Sequence, residues 1–197
     1  MLKNIEKALL LIGMVTAASS VNAASLGYGW EYVVGTVRGQ YGTEDIQYSN
    51  LSGFSRTGNN ALLIEDLDTN TSGTPQGYLA MVTGLTDGDT VDASFWAFDN
   101  TPGGSPSVRI WGHYTVAGDI DGYAGSAGGN STYSGATEWS QLSQSWVFDS
   151  DGGTRDGLII EVRFYDGSSA PTGSIVVDDL MINTSAGSIV TPAPVSA

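Results

Sequence analysis

Beyond residue 25 the chain carries almost no helix signal and instead repeats one pattern. Short runs rich in Val, Ile, Thr, Tyr, Phe and Trp alternate with clusters of Gly, Asp, Asn, Ser and Pro, the signature of an all-β sandwich or barrel. The runs predict strands at Trp30–Val37, Ala61–Asp66, Gly77–Thr83, Thr90–Asp99, Ser107–Ala117, Glu138–Asp149, Gly157–Asp166 and Ser174–Asn183. The breaks have turn chemistry. Thr86-Asp87-Gly88-Asp89 and Asp166-Gly167-Ser168-Ser169 offer Gly where a tight turn needs positive φ. Thr101-Pro102-Gly103-Gly104-Ser105-Pro106 reads as a loop, because Pro removes a ladder donor and paired Gly weakens a strand.

Successive side chains of a strand point to opposite faces. Val91, Ala93, Phe95 and Ala97 therefore share one face, opposite Asp92, Ser94, Trp96 and Phe98. Val108, Ile110, Gly112 and Tyr114 oppose Arg109, Trp111, His113 and Thr115, while Leu158, Ile160, Val162 and Phe164 oppose Ile159, Glu161, Arg163 and Tyr165. The apolar faces are the expected core. The opposite faces mix large aromatics with Arg, Glu and His, and an exposed aromatic patch marks a binding surface. Residues 118–137 are almost all Gly, Ser, Ala, Asn and Tyr, with little to bury, and read as a long connection that is functional or mobile; its tyrosines, Tyr123 and Tyr133, are placed to fold over a ligand.

The first segment has the composition of an export signal. Lys3 and Lys7 form a positive start, Ala8–Ala18 an apolar run too short for the roughly 20 residues of a membrane span, and Val21-Asn22-Ala23 a cleavage site. The expected organisation is a signal peptide at 1–23, a domain at 24–184 and a flexible tail at 185–197. No second hydrophobic span follows, so the mature domain is expected outside the membrane, secreted or at the cell surface. Seven Lys and Arg against 21 Asp and Glu give a formal net charge of −14. That disfavours a nucleic-acid partner, which needs a basic face, and none is expected. Zero cysteines exclude disulfides, thiolate chemistry and Cys-ligated zinc.

From Arg56 to Asn183 the order of features resembles carbohydrate-binding modules of the jelly-roll kind, families four, nine and twenty-two. Thr57-Gly58-Asn59-Asn60-Ala61-Leu62 is similar to their first Gly-containing strand. Thr83-Gly84-Leu85-Thr86-Asp87-Gly88-Asp89-Thr90-Val91-Asp92-Ala93-Ser94-Phe95-Trp96 resembles their "GLxpGxxYxvSfW". Glu138-Trp139-Ser140-Gln141-Leu142 through Trp146 resembles "tWtxlsxxF", and Val176-Val177-Asp178-Asp179-Leu180 the closing "fyvDDv". Gly29-Trp30-Glu31 is a loose counterpart of the opening motif. The resemblance implies a two-sheet antiparallel β-sandwich, a jelly roll, that binds a glycan on one sheet face and carries a structural calcium. The implied calcium ligands are Asp178, Asp179 and Glu31.

Sugar rings stack their C–H faces on aromatics, and their hydroxyls need planar polar partners. Trp96, Arg109, Trp111, His113, Glu161, Arg163 and Tyr165, with Tyr123 above them, supply both kinds and are the candidate ligand contacts. Trp139 and Trp146 match packing aromatics. Calcium needs six to eight oxygens, and a buried carboxylate at Asp178 or Asp179 needs a cation, an Arg or backbone donors. The Asp119-Ile120-Asp121-Gly122 and Asp149-Ser150-Asp151-Gly152 loops lack the Glu an EF-hand has at position twelve. No nucleophile or multi-histidine motif is present, so no enzyme is expected; the catalytic alternative is a glycan-active enzyme working through two of the 20 carboxylates left after the export segment. The expected partner is a polysaccharide, neutral rather than anionic given the charge. The alternative is a structural or adhesive surface protein that binds no sugar.

Overall fold

The computed structural model describes residues 23–28, 46–67, 69, 74–99, 107–116, 119–133, 137–165 and 172–190. Eleven strands are found among them: β1 (Ala24–Tyr28), β2 (Ile46–Ser52), β3 (Asn60–Asp66), β4 (Gln76–Thr83), β5 (Thr90–Phe98), β6 (Ser107–Thr115), β7 (Ser126–Gly128), β8 (Ser140–Val147), β9 (Gly157–Tyr165), β10 (Gly173–Thr184) and β11 (Ser188–Val190). One sheet runs β2-β3-β10-β5-β8, with β1 also paired to β10, and the other runs β11-β4-β9-β6-β7. Every strand pair is antiparallel. This is the expected all-β sandwich.

The alternation places the core as expected. Leu62, Ile64, Val91, Phe95, Leu142, Ile175, Val177 and Ile182 of the first sheet meet Leu79, Val82, Val108, Ile110, Leu158, Ile160, Val162 and Phe164 of the second. Gly112 belongs to the same inner face, where the Trp146 ring occupies its side-chain space; a Cβ there would lie 3.0 Å from the indole. The Trp146 Nε1–H donates to the Gly128 carbonyl at 2.8 Å, so this tryptophan is packing, with its polar atom satisfied.

Strand β10 organises the first sheet. Its first half, Gly173–Val177, pairs with β3, and its second half, Leu180–Thr184, pairs with β1 along the same edge. A bulge between Asp178 and Met181 separates the halves, with Asp179 at φ 50°. Side-chain hydrogen bonds take the place of the interrupted ladder there.

Two expectations are corrected. The segment 118–137 is not simply a loop: Ser126–Gly128 forms β7, and neighbouring backbone bonds from Tyr114, Ile110 and Tyr133 fasten residues 125–133 along β6. Backbone pairing and single side-chain bonds such as Trp146 to Gly128 and Trp111 to Ser126 hold it, so no apolar pattern announces it. Nor does the domain end at 184. Ser188–Val190 form β11 on the edge of β4, with Ile189 packed on the core. Gly187 makes this possible, since at φ 83° its missing Cβ would lie 2.2 Å from the Thr83 carbonyl oxygen. The predicted strand Trp30–Val37, the export segment and the Pro102 and Gly167 loops lie outside the described residues.

Candidate functional site

The outer face of the second sheet is built from three cross-strand rows. Gln76 of β4, Arg163 of β9 and Arg109 of β6 stand side by side; next come Tyr78, Glu161 and Trp111; then Met81, Ile159 and His113. Directly opposed side chains in a sheet lie about 5 Å apart, close enough to interact. Seven of the eight predicted ligand contacts meet here: Arg109, Trp111, His113, Glu161, Arg163, Tyr165 and Tyr123.

Glu161 is the hub. Its Oε1 accepts from Arg163 Nη2 at 2.9 Å and Nε at 3.2 Å, and its Oε2 faces His113 Nδ1 at 2.9 Å. The Gln76 carboxamide completes the network in the orientation that pairs both its atoms: its nitrogen donates to Glu161 Oε2 at 2.9 Å and its oxygen accepts from Arg163 Nη2 at 2.8 Å. The Arg163 guanidinium lies 4.5 Å from the centre of the Trp111 ring, and Arg109 lies 4.4 Å from that of Tyr165. Trp111 and Tyr165 meet edge to face, and Trp111 Nε1 donates to Ser126 Oγ at 3.0 Å. The imidazole of His113 sits between the rings of Tyr78 and Tyr123, at centroid distances of 5.2 and 5.6 Å.

This face is not the fully exposed patch expected from the sequence. Glu161 and His113 are each 0% exposed. Ile120 packs on a small second cluster of Tyr78, Met81 and Ile159, so the loop after β6 covers one end of the face. Tyr123 is the exposed member, at 55%. Two buried polar atoms on this face have no partner, His113 Nε2 near the covered end and Arg109 Nε at the other. An unpaired buried polar group is costly, so such atoms mark a place that a ligand or water completes. With Nδ1 committed to Glu161, Nε2 is the only ring nitrogen left to a ligand.

Trp96 belongs elsewhere. It lies on β5, on the outer face of the first sheet, with the Arg56 guanidinium 3.8 Å from its ring centre. It and Trp111 are on opposite sides of the sandwich and cannot touch one ligand. Gln76, Tyr78 and Ser126 were missed in the sequence. Strand β4 is buried on both faces from Gln76 to Val82, so its sequence carries no polar alternation to mark the outer one, and a register shift between Tyr78 and Ala80 interrupts the period as well.

The Asp178–Asp179 pair is held by donors rather than arranged around a cation. Asp178 Oδ2 accepts the backbone N–H groups of Arg56 (2.8 Å) and Thr57 (3.0 Å), and Oδ1 accepts that of Asp179 (2.8 Å). Asp179 accepts from Arg56 Nη1 at 2.6 Å and from Thr57 Oγ1. N–H groups pointing at a carboxylate occupy the positions a calcium ion would take, so these residues do not fit the group the resemblance implies. Glu31 lies outside the described residues. Both D-x-D-G loops are turns in which the first Asp accepts a backbone N–H two residues on. Among the described residues no three His, Cys, Asp or Glu gather to hold a metal.

No family model matches the chain, and no curated protein matches it in sequence. Its fold does match solved structures. The CBM22-1 xylan-binding domain of Paenibacillus barcinonensis Xyn10C superposes with a TM-score of 0.56 at 13% identity, over 87% of this chain and 100% of that one. The C-terminal family 22 carbohydrate-binding module of Clostridium thermocellum Xyn10B, studied for the amino acids of its cleft in ligand binding, gives 0.51 at 14% identity, over 87% and 96%. The CBM22-1–GH10 modules of the same organism's Xyn10B, complexed with xylohexaose, give 0.54 at 13% identity; 87% of this chain aligns with 29% of that one. The jelly-roll architecture of carbohydrate-binding modules is thus the architecture of this chain.

Proposed function

We propose that the chain is an exported, non-catalytic module that holds a neutral polysaccharide on the outer face of its second sheet. The observation that carries this reading is the buried Gln76–Glu161–Arg163–His113 network beneath Trp111, Tyr165 and Tyr123, with His113 Nε2 and Arg109 Nε unpartnered. A sugar hydroxyl both donates and accepts, so one kind of group satisfies both orphans. A carboxylate would meet the Glu161 side of the site and a chain of net charge −14. The same network argues against catalysis, since each oxygen of Glu161 is already bonded to donors. The xylan- and xylohexaose-binding proteins that share the fold make a xylan-type chain the first ligand to test.

Calorimetric titration of the full chain with xylohexaose and with other neutral hexasaccharides tests the reading. Aromatic contacts contribute about 0.5–1.5 kcal/mol beyond area burial, and 1.4 kcal/mol is tenfold in affinity. Trp111→Ala and Tyr123→Ala are expected to weaken binding about tenfold each while the fold persists. Binding to acidic polysaccharides in preference to all neutral ones would overturn the reading, as would binding that neither substitution disturbs.

A further inference from the structure

The first sheet has an outer face of its own, which the site above does not use. Register places Asn183, Asp92 and Ser145 in one row across β10, β5 and β8, and Met181, Ser94 and Ser143 in the next. These small side chains stand beside the bulky Trp96 row and leave a depression of about 400 Å³. Ser145 Oγ donates to Asp92 Oδ1, and Gln141 Nε2 donates to Ser94 Oγ at 3.3 Å. Beyond Trp96 the same strand reaches Phe98, which packs edge to face with Phe54 at 4.8 Å; Phe54 is stacked on Trp139 at 5.8 Å and is 39% exposed. From Asp92 to Phe98 this track is about 20 Å long, at roughly 3.4 Å per residue.

We propose that this track is a second polysaccharide site, separate from the one on the second sheet. Its lining selects the occupant. Hydroxyl and amide groups donate and accept, which matches the hydroxyls of a sugar chain. Among the described residues the only charged group in the depression is Asp92, and the Arg56 guanidinium beside it on Trp96 is already paired with Asp179, so a polyanion meets carboxylates and no free cation. An apolar partner finds only Met181 in the depression and Phe54 at the far end of the track, with polar rows between them. A second copy of this chain would set Asp92 against Asp92 and a net charge of −14 against its equal. An uncharged glycan lying along β5 pairs with the polar rows and rests its far end on Phe54. Its position rests on the first sheet alone; its chemical class follows the reading above. Two sites on opposite faces make one molecule bivalent, able to hold two polysaccharide strands together.

The test is calorimetric stoichiometry of the full chain with xylohexaose and with other neutral hexasaccharides. Ser143→Trp fills the depression from an exposed position, Asp92→Ala removes its carboxylate without adding bulk, and Trp111→Ala disables the other face. Two equivalents are expected for the unmodified chain. One of them should weaken at least tenfold in Ser143→Trp and in Asp92→Ala, and the other in Trp111→Ala. A single equivalent that survives Ser143→Trp and Asp92→Ala overturns this proposal and leaves the second-sheet site standing. A single equivalent that survives Trp111→Ala but not the other two upholds it and removes the second-sheet site instead. Absence of binding by every hexasaccharide overturns both.

Discussion

Two buried side chains show what a single residue decides in this fold. Glu161 is flanked by Arg163, His113 and Gln76, and its removal leaves a buried cation without its counter-charge. Breaking a buried pair costs about 3–5 kcal/mol. Glu161→Ala is therefore expected to lower stability in urea unfolding by that order, and by more than Trp111→Ala does. Tyr48 is the second case. Its hydroxyl is buried against Gly77, where a Cβ would lie 2.4 Å from it. Burial pushes its phenol well above the ordinary value of 10.0, with Tyr78 and Glu161 adding to the shift. A raised phenol contributes stability that is whole below the unfolded-state value and is lost as the pH rises toward the folded one. Above about pH 10 the unmodified chain should lose stability with pH more steeply than Tyr48→Phe, while at pH 7 their melting temperatures stay close. Alternation made the direction of Arg109, Trp111, His113, Glu161 and Arg163 legible in the sequence, because a strand's period is a local property. What lies over them is not local. Tyr78, Ile120 and Tyr123 arrive from other segments, so the burial of Glu161 and His113 could not be read from their own strands.

Elements differ in how plainly they announce themselves. Strands β3 to β6 and β8 to β10 carry apolar alternation or turn-bounded runs, and the sequence places all seven within a few residues. Strand β7 is Ser126-Ala127-Gly128 and β11 has one apolar residue, Ile189, so neither offers a pattern to detect. Which strands share a sheet is likewise hidden, and it separates Trp96 from Trp111. The β10 bulge is where the sequence suggested calcium and the structure supplies amides. Asp178→Ala would strand three backbone donors of Arg56, Thr57 and Asp179. These part-buried bonds run to a charged acceptor, where one bond is worth about 1.5–3 kcal/mol, so the substitution should cost more than about 2 kcal/mol in thermal unfolding. Excess chelator, by contrast, should leave the melting temperature of the unmodified chain in place. A fall on chelation that calcium reverses would show a cation at work.

At the scale of the molecule, charge is the dominant fact. A net of −14 on a folded domain repels itself. Raising salt from about 10 mM to 150 mM shortens the screening length from about 30 to 8 Å. The melting temperature is expected to rise over that range, while affinity for a neutral hexasaccharide stays level; affinity that falls with salt would point to a charged ligand held by Arg109 and Arg163. The connectivity of the first sheet has a consequence of another kind, for the order of events as the chain becomes folded. Strands β1, β3 and β5 do not pair with one another; each pairs with β10. Contacts between residues so far apart along the chain form slowly. Until residues 173–184 are free to dock, three strands synthesised long before them have no central partner, so closure of the first sheet waits on the last quarter of the chain.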